Sequence, residues 1–198
     1  YANAAKSFKM PTFTQIYGGG GANFAANPLL EPEEGWTYEF GYKKTSNTSM
    51  FKAALYYMDL DTIEYEGKGT SSNPYVTRNM SFKNKGLEMT YEKDFGSKYS
   101  YSLGANFCNP MGKNKKGVWE RKFAREQYNA GIKYHDAKFN AALTGMFTTD
   151  RASGWGDLLP VNFIAGYKFD KSSSVELGVE NIFDRDDIVS NPGSATKY

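Results

Sequence analysis

Long apolar runs are missing from this chain. No stretch approaches the roughly 20 consecutive apolar residues that a membrane-spanning helix requires, so a helical membrane protein is excluded. Cysteine is nearly absent. Cys108 stands alone, which excludes an internal disulfide and any Cys/His zinc spacing. Histidine is as scarce, with His135 the single example. A Ser-His-Asp hydrolase would need that imidazole beside a serine and an acid. His135 instead sits with Asp136 in a tight-turn sequence, so no catalytic constellation and no enzyme activity are expected. Charge of one sign is also lacking: 24 Lys+Arg against 22 Asp+Glu leave +2. The densest basic cluster, Lys113, Lys115 and Lys116, falls in a Gly/Asn-rich loop and reads as solvated rather than as a nucleic-acid surface. Asp59-Leu60-Asp61 followed by Glu64 lacks the glycine and closing glutamate of a calcium loop. No metal or cofactor is therefore expected.

Rings and turns are abundant. Aromatic residues make up 16% of the chain, with 15 Tyr, 14 Phe and 20 Gly, which suits a β-rich chain with many turns. Mean hydropathy is −0.62, ordinarily the mark of a soluble protein. Membrane β-barrels escape that rule, because every second residue of each strand faces away from lipid. Side chains along a strand point to opposite faces at period two. Tyr99, Tyr101, Leu103, Ala105 and Phe107 alternate with Ser100, Ser102, Gly104, Asn106 and Cys108. Phe139, Ala141, Leu143, Gly145 and Phe147 alternate with Asn140, Ala142, Thr144 and Met146. Each apolar face carries rings at both ends and small or aliphatic side chains between them. Rings favour the two headgroup layers of a membrane and aliphatics the hydrocarbon, so the pattern predicts transmembrane strands.

The same count predicts strands at residues 36–43, 51–58, 86–93, 127–134, 161–169 and 174–183, with 1–8 ending an earlier one. Connections alternate in length. Short ones fall at 45–48, 94–97, 135–136 and 170–173; long ones fall at 9–35, 64–79, 109–122, 148–158 and from 184 onward. Short turns on one side and long loops on the other match a bacterial outer-membrane barrel whose short side is periplasmic. Trp36 then lies near the outside and Tyr42 near the periplasm. Glu39, Lys43, Lys52, Glu88, Glu92, Lys133, Lys168, Glu176 and Glu180 face the lumen, since a mid-depth lysine facing lipid would cost about 2–4 kcal/mol. The expected fold class is all-β: a transmembrane antiparallel β-barrel portion of about eight or nine strands, with no second domain.

Four stretches, taken in order, resemble one family. Ser7-Phe8-Lys9-Met10-Pro11-Thr12-Phe13-Thr14-Gln15-Ile16-Tyr17-Gly18 is similar to the Phe-Arg-Ala-Pro-Thr-Phe…Leu-Tyr box of the TonB-dependent outer-membrane receptors. Lys9 and Met10 stand in place of its Arg and Ala. Asn27-Pro28-Leu29-Leu30-Glu31-Pro32-Glu33, leading into Trp36-Thr37-Tyr38-Glu39-Phe40-Gly41-Tyr42, resembles that family's Asn-Pro-Asn-Leu-Lys-Pro-Glu box and the strand after it. Asn84-Lys85-Gly86-Leu87-Glu88 resembles a recurrent strand opening, and Gly178-Val179-Glu180-Asn181-Ile182-Phe183-Asp184 the penultimate strand. Pro11, Pro28 and Pro32 fix φ and disfavour helix at the residue before them. They are expected to hold the 9–35 connection in extended and turn geometry. Asn181 and Asp184 are turn formers where strand gives way to loop. Structural roles are expected for all of the box residues: Pro11, Thr12, Phe13, Asn27, Pro28, Leu30, Pro32, Glu33, Asn181, Phe183 and Asp184.

The resemblance implies a plugged barrel of roughly 22 strands in the bacterial outer membrane, bathed in its lipid. It implies active import, with a ferric siderophore as the default cargo and cobalamin or glycans behind it. Energy would come from a TonB-type inner-membrane complex acting through the plug. Residues 1–198 would then be the C-terminal part of the barrel domain. The plug and the first barrel strands would lie elsewhere, on the same polypeptide or a partner chain, because an open sheet is untenable in a bilayer. The start at Tyr1 without a signal peptide fits a removed leader or a portion of a longer polypeptide, and the second is expected. Residues 190–198 read as an outside loop before a closing strand. Haem receptors of this type usually carry an iron-ligating histidine between the two proline boxes; residues 18–26 hold none, so haem by that route is not expected. Large cargo is gripped by aromatic and polar loop side chains. The candidates are Phe13, Tyr17, Phe24, Tyr65, Tyr75, Trp119 and Trp155, with Arg78, Arg121 and Arg151 for an anionic chelate. Two further readings compete: a passive porin or adhesin-type barrel without a plug, and a soluble β-sandwich lectin.

Overall fold

The computed structural model describes residues 1–19, 23–152 and 156–185. Among these residues eleven strands form one sheet: β1 Ala2–Lys9, β2 Glu33–Thr45, β3 Ser49–Glu66, β4 Val76–Phe95, β5 Tyr99–Cys108, β6 Met111–Lys113, β7 Trp119–Arg121, β8 Glu126–His135, β9 Phe139–Thr149, β10 Val161–Lys168 and β11 Ser174–Val179. The path runs β1-β2-β3-β4-β5-β8-β9-β10-β11, and the small β6–β7 hairpin pairs with β4 beyond the end of β5. All pairings are antiparallel up-and-down neighbours. One short helix, α1 Phe13–Tyr17, interrupts the β1–β2 connection.

The registers carry the predicted faces across the sheet without a slip. Phe40, Leu55, Leu87 and Phe107 form one cross-strand row. Leu103, Ala130, Gly145 and Val161 form a second, and Ile132, Leu143, Phe163 and Val179 a third. The opposite face carries rows such as Glu88, Asn106, Gln127 and Thr148. Rings gather at both ends of the apolar face. At the long-loop end Trp36 stacks on Tyr38 at 5.9 Å, and Tyr128 lies between Phe107 and Phe147 at 5.6 and 6.3 Å. At the short-turn end Tyr99, Tyr134 and Phe139 follow one another at 5.0 and 5.8 Å. From Tyr99 to Phe107 the strand covers about 27 Å at 3.4 Å per residue. A tilt near 40° reduces this to about 21 Å, close to the ~25 Å apolar band of an outer-membrane barrel.

Among the described residues no second sheet or helix layer stacks on either face of the strands below the long-loop end. Every substantial strand contact is between ladder neighbours, so the sheet is a single wall. Phe40 and Leu177 stay 68% and 61% exposed, which lipid would cover and water would punish. The soluble sandwich reading fails here, because a sandwich buries one sheet on another. The larger buried side chains lie at the long-loop end: Leu30, Gln15, Thr77 and Pro110.

The strands are longer outside the membrane than alternation predicted. The expected long connection at 64–79 is shortened from both ends by strand: β3 continues to Glu66, β4 starts at Val76, and the loop is 67–75. Charged residues there resemble loop, but beyond the headgroups both faces of a strand meet water and tolerate charge. This ribbon rises nine residues past Tyr57, about 30 Å. For the same reason Asn84–Glu88 lies in mid-strand and opens nothing. Gly86 is required there, since a Cβ would stand 2.5 Å from the Tyr56 hydroxyl and the Phe107 carbonyl. The last strand stops at Val179, short of 183, because Asn181 and Asp184 both turn the backbone at φ 48. On the short side, Asp136 accepts from the Lys138 and Phe139 amides at 2.9 and 2.8 Å, and Asp170 does the same for Ser172 and Ser173. Aspartate thus builds these turns through its own side chain.

Candidate functional site

The long-loop end is built on the β3–β4 ribbon, with one loop braced to each side. Residues 10–19 and 23–32 pack on the side continuous with the apolar face. Pro11 is buried and leads to Thr12, which caps α1. The Thr12 hydroxyl accepts from the Gln15 amide, and the Gln15 side chain returns to the Thr12 amide at 2.6 Å. This reciprocal box satisfies two helix-end donors. The expected extended and turn geometry is therefore corrected by one helical turn, released by Pro11 and ended at Gly18, φ 77. Gln15, 3% exposed, also donates to the Tyr65 hydroxyl on β3. Asn27 donates to the Thr77 carbonyl at 2.8 Å, and Glu31 and Asn79 exchange two bonds at 2.9 Å. Leu30 fills the space between. Glu33 accepts from the Ile63 amide at 2.8 Å and pairs with Lys9 at 2.7 Å. Burial pushes the Glu33 carboxyl up, but Lys9 and the Ile63 amide outweigh it and hold it below the usual range.

The opposite side of the ribbon, continuous with the polar face, carries an ion network. Arg78 on β4 bonds Glu64 and Glu66 on β3. Lys122, just after the β6–β7 hairpin, reaches Glu64 at 2.6 Å and Glu120 at 2.8 Å, and Lys115 in the hairpin turn meets Glu66. Lys115 and then Arg78 hold the Glu66 carboxyl below its ordinary value; Lys122 does so for Glu120. Burial pushes the Lys122 ammonium down, yet Glu120 and Glu64 outweigh it and raise it. Phe82 and Phe123 meet edge-on at 6.0 Å beneath the network.

A family model described as TonB dependent receptor-like, beta-barrel matches residues 1–182. The chain belongs to the TonB-dependent receptors. Its structure is similar to two solved ones. The copper transporter OprC shares 14% identity at a TM-score of 0.73, over 93% of this chain and 32% of that one. The siderophore receptor PirA from Pseudomonas aeruginosa shares 18% at a TM-score of 0.64, over 93% of this chain and 36% of that one. The chain thus spans about a third of the length of these structures. No curated protein matches it. The family and both neighbours are receptors or transporters, not enzymes, and the family's barrels are outer-membrane proteins.

In this receptor the candidate contact residues are not gathered into one place. Phe24 packs on Tyr65 and Tyr75 at 5.8 and 5.3 Å, as part of the docked 10–32 loop. Phe13 and Tyr17, rings 4.5 Å apart, stand exposed on the other side of α1. Trp119 lies beneath the Lys83 ammonium at 5.7 Å, on the lipid side of the sheet, since it shares that side with Met111 and Lys83. Trp155 lies outside the described residues. The arginines are committed to protein partners: Arg78 to two carboxylates, Arg121 to Asp150 and Arg151 to the Gly156 carbonyl. Among the box residues, Asn181 closes its turn by bonding the Arg185 backbone, while Pro28 and Phe183 are exposed. Gln15, Thr77 and Asn79 anchor the loop, yet residue type alone did not single them out.

Proposed function

We propose that this chain supplies the C-terminal wall and part of the extracellular mouth of a receptor that imports a ligand across the outer membrane. A TonB-type complex energises it through a plug. The observation that carries the reading is the braced ribbon: a 10–32 loop on one side, an ion-tied hairpin on the other, both rising beyond the outer ring belt. Such a mouth presents fixed surfaces to a ligand rather than a bare pore, which favours a gated receptor over a passive porin. The surface that 10–32 leaves open is aromatic, with Phe13 and Tyr17 side by side. Rings of that kind suit a large organic chelate such as a ferric siderophore. The test is uptake of radiolabelled iron, supplied with a panel of siderophores, by cells carrying the intact receptor, with and without TonB. Saturable uptake of one chelate that vanishes without TonB supports the reading. Uptake that persists without TonB returns the chain to the passive barrel, and saturable TonB-dependent uptake of a non-iron ligand replaces the cargo.

A further inference from the structure

Just beyond the outer ring belt, on the lipid side of the sheet, lies a hollow of about 220 Å³ lined by Tyr57, Lys83, Lys85, Asn109, Met111 and Trp119. Lys83 and Lys85 are successive residues of one face of β4, directly outside Leu87 on the same face. Asp59 braces Lys83 at 3.1 Å and accepts from the Tyr57 hydroxyl at 3.3 Å. An ammonium carries three donors, so Lys83 keeps others to offer. No described carboxylate lies within ion-pair distance of Lys85. Lys113 shares this side of the hairpin with Trp119. Above a lipid-facing strand a lysine stretches its stem along apolar surface and puts its charge in the headgroup layer. Two such charges beside an indole face suit one chemistry: a phosphate ester on a sugar, the sugar lying on the ring.

We propose that this hollow binds a phosphorylated glycolipid of the outer leaflet, with Lys83 and Lys85 on the phosphate and Trp119 under the sugar. The site rests on the membrane placement made above, but not on import, because glycolipid binding requires no TonB. It would ground the β6–β7 hairpin in the surrounding leaflet. The intact receptor is reconstituted in phosphatidylethanolamine nanodiscs containing lipid A in its bis-phosphorylated or its dephosphorylated form. Native mass spectrometry then reads the bound lipid. The wild type is expected to retain the phosphorylated form selectively. Each lysine charge near an anionic layer is worth about fivefold in binding. Lys83→Gln with Lys85→Gln should therefore reduce retention about 25-fold, and Lys83→Arg with Lys85→Arg should preserve it. Excess inorganic phosphate should leave retention unchanged. Equal retention of the two lipid forms by the wild type overturns the proposal without any variant. So does a folded Gln double variant that still binds, or displacement by inorganic phosphate, which would mark a free-anion site. Loss of TonB-dependent uptake with glycolipid selectivity intact would refute import alone.

Discussion

Gln15 is the residue on which the docking of the 10–32 loop turns. It is 3% exposed, accepts from the Thr12 amide at 2.6 Å and donates to the Tyr65 hydroxyl. Gln15→Leu keeps the bulk but strips both partners. The part-buried Thr12 amide loses its acceptor, at about 1 kcal/mol. Tyr65 is half exposed, so water recovers most of its share. A net cost of about 1–2 kcal/mol converts to a roughly 5- to 30-fold loss of amide protection across residues 10–19 and 23–32, at about 1.4 kcal/mol per tenfold. Thr77, packed in the same small core at 1% exposure, carries a hydroxyl with no partner among the described residues. Thr77→Val removes only that desolvated group and should raise protection by up to about fivefold. Hydrogen exchange of the intact protein, read by mass spectrometry, separates the two. Unchanged exchange in Gln15→Leu, or loosening in Thr77→Val as large as in Gln15→Leu, would refute the account of the docked loop.

Arg78→Met should free the β6–β7 hairpin, at a cost of about 1–2 kcal/mol for a half-buried network, whereas Lys6→Met at an exposed pair should change nothing; proteolysis of residues 109–125 in intact cells reads the difference. The Asp136 carboxyl is held at about 2, first by the Phe139 amide, then by the Tyr134 hydroxyl and the Lys138 amide. A depressed carboxyl stabilises its turn fully above the ordinary aspartate value and loses that stability as pH falls through the native one. Protection of the Lys138 and Phe139 amides, corrected for intrinsic rates, should therefore fall between about pH 4 and about pH 2, and Asp136→Asn should abolish the pH dependence. Leu103→Arg, facing lipid near mid-depth, should destabilise the barrel in vesicles by about 2–4 kcal/mol. Asn106→Arg on the polar face should stay within about 1 kcal/mol, both by urea titration.

The wall was legible in the sequence because lipid and lumen impose period-two alternation that no loop imitates. Tyr99 to Cys108 was read to the residue, and the face of every main strand held. The mouth was less legible. Outside the membrane no apolar face is demanded, so Glu64, Glu66 and Arg78 looked like loop while forming strand. Asn27 and Thr77 stand fifty residues apart, and their bond leaves no local trace. Two features were readable on local grounds. Thr12-Phe13-Thr14-Gln15 is a capping-box sequence. Asn114-Lys115-Lys116-Gly117 is a turn sequence, in which the Asn114 side chain accepts from Lys116 and Val118 and Gly117 turns at φ 77. Both lay inside stretches whose prolines and lysines suggested plain loop.

The central claim is that one face of this sheet meets lipid and the other a polar lumen. Spin labels at Leu103→Cys and Ser102→Cys, adjacent residues on opposite faces, test it in the intact protein in bilayers. The account predicts that the label at 103 is relaxed by oxygen and shielded from a water-soluble nickel chelate. The label at 102 should show the reverse preference. Equal accessibilities at the two positions, or the opposite pattern, would contradict the wall and everything built upon it.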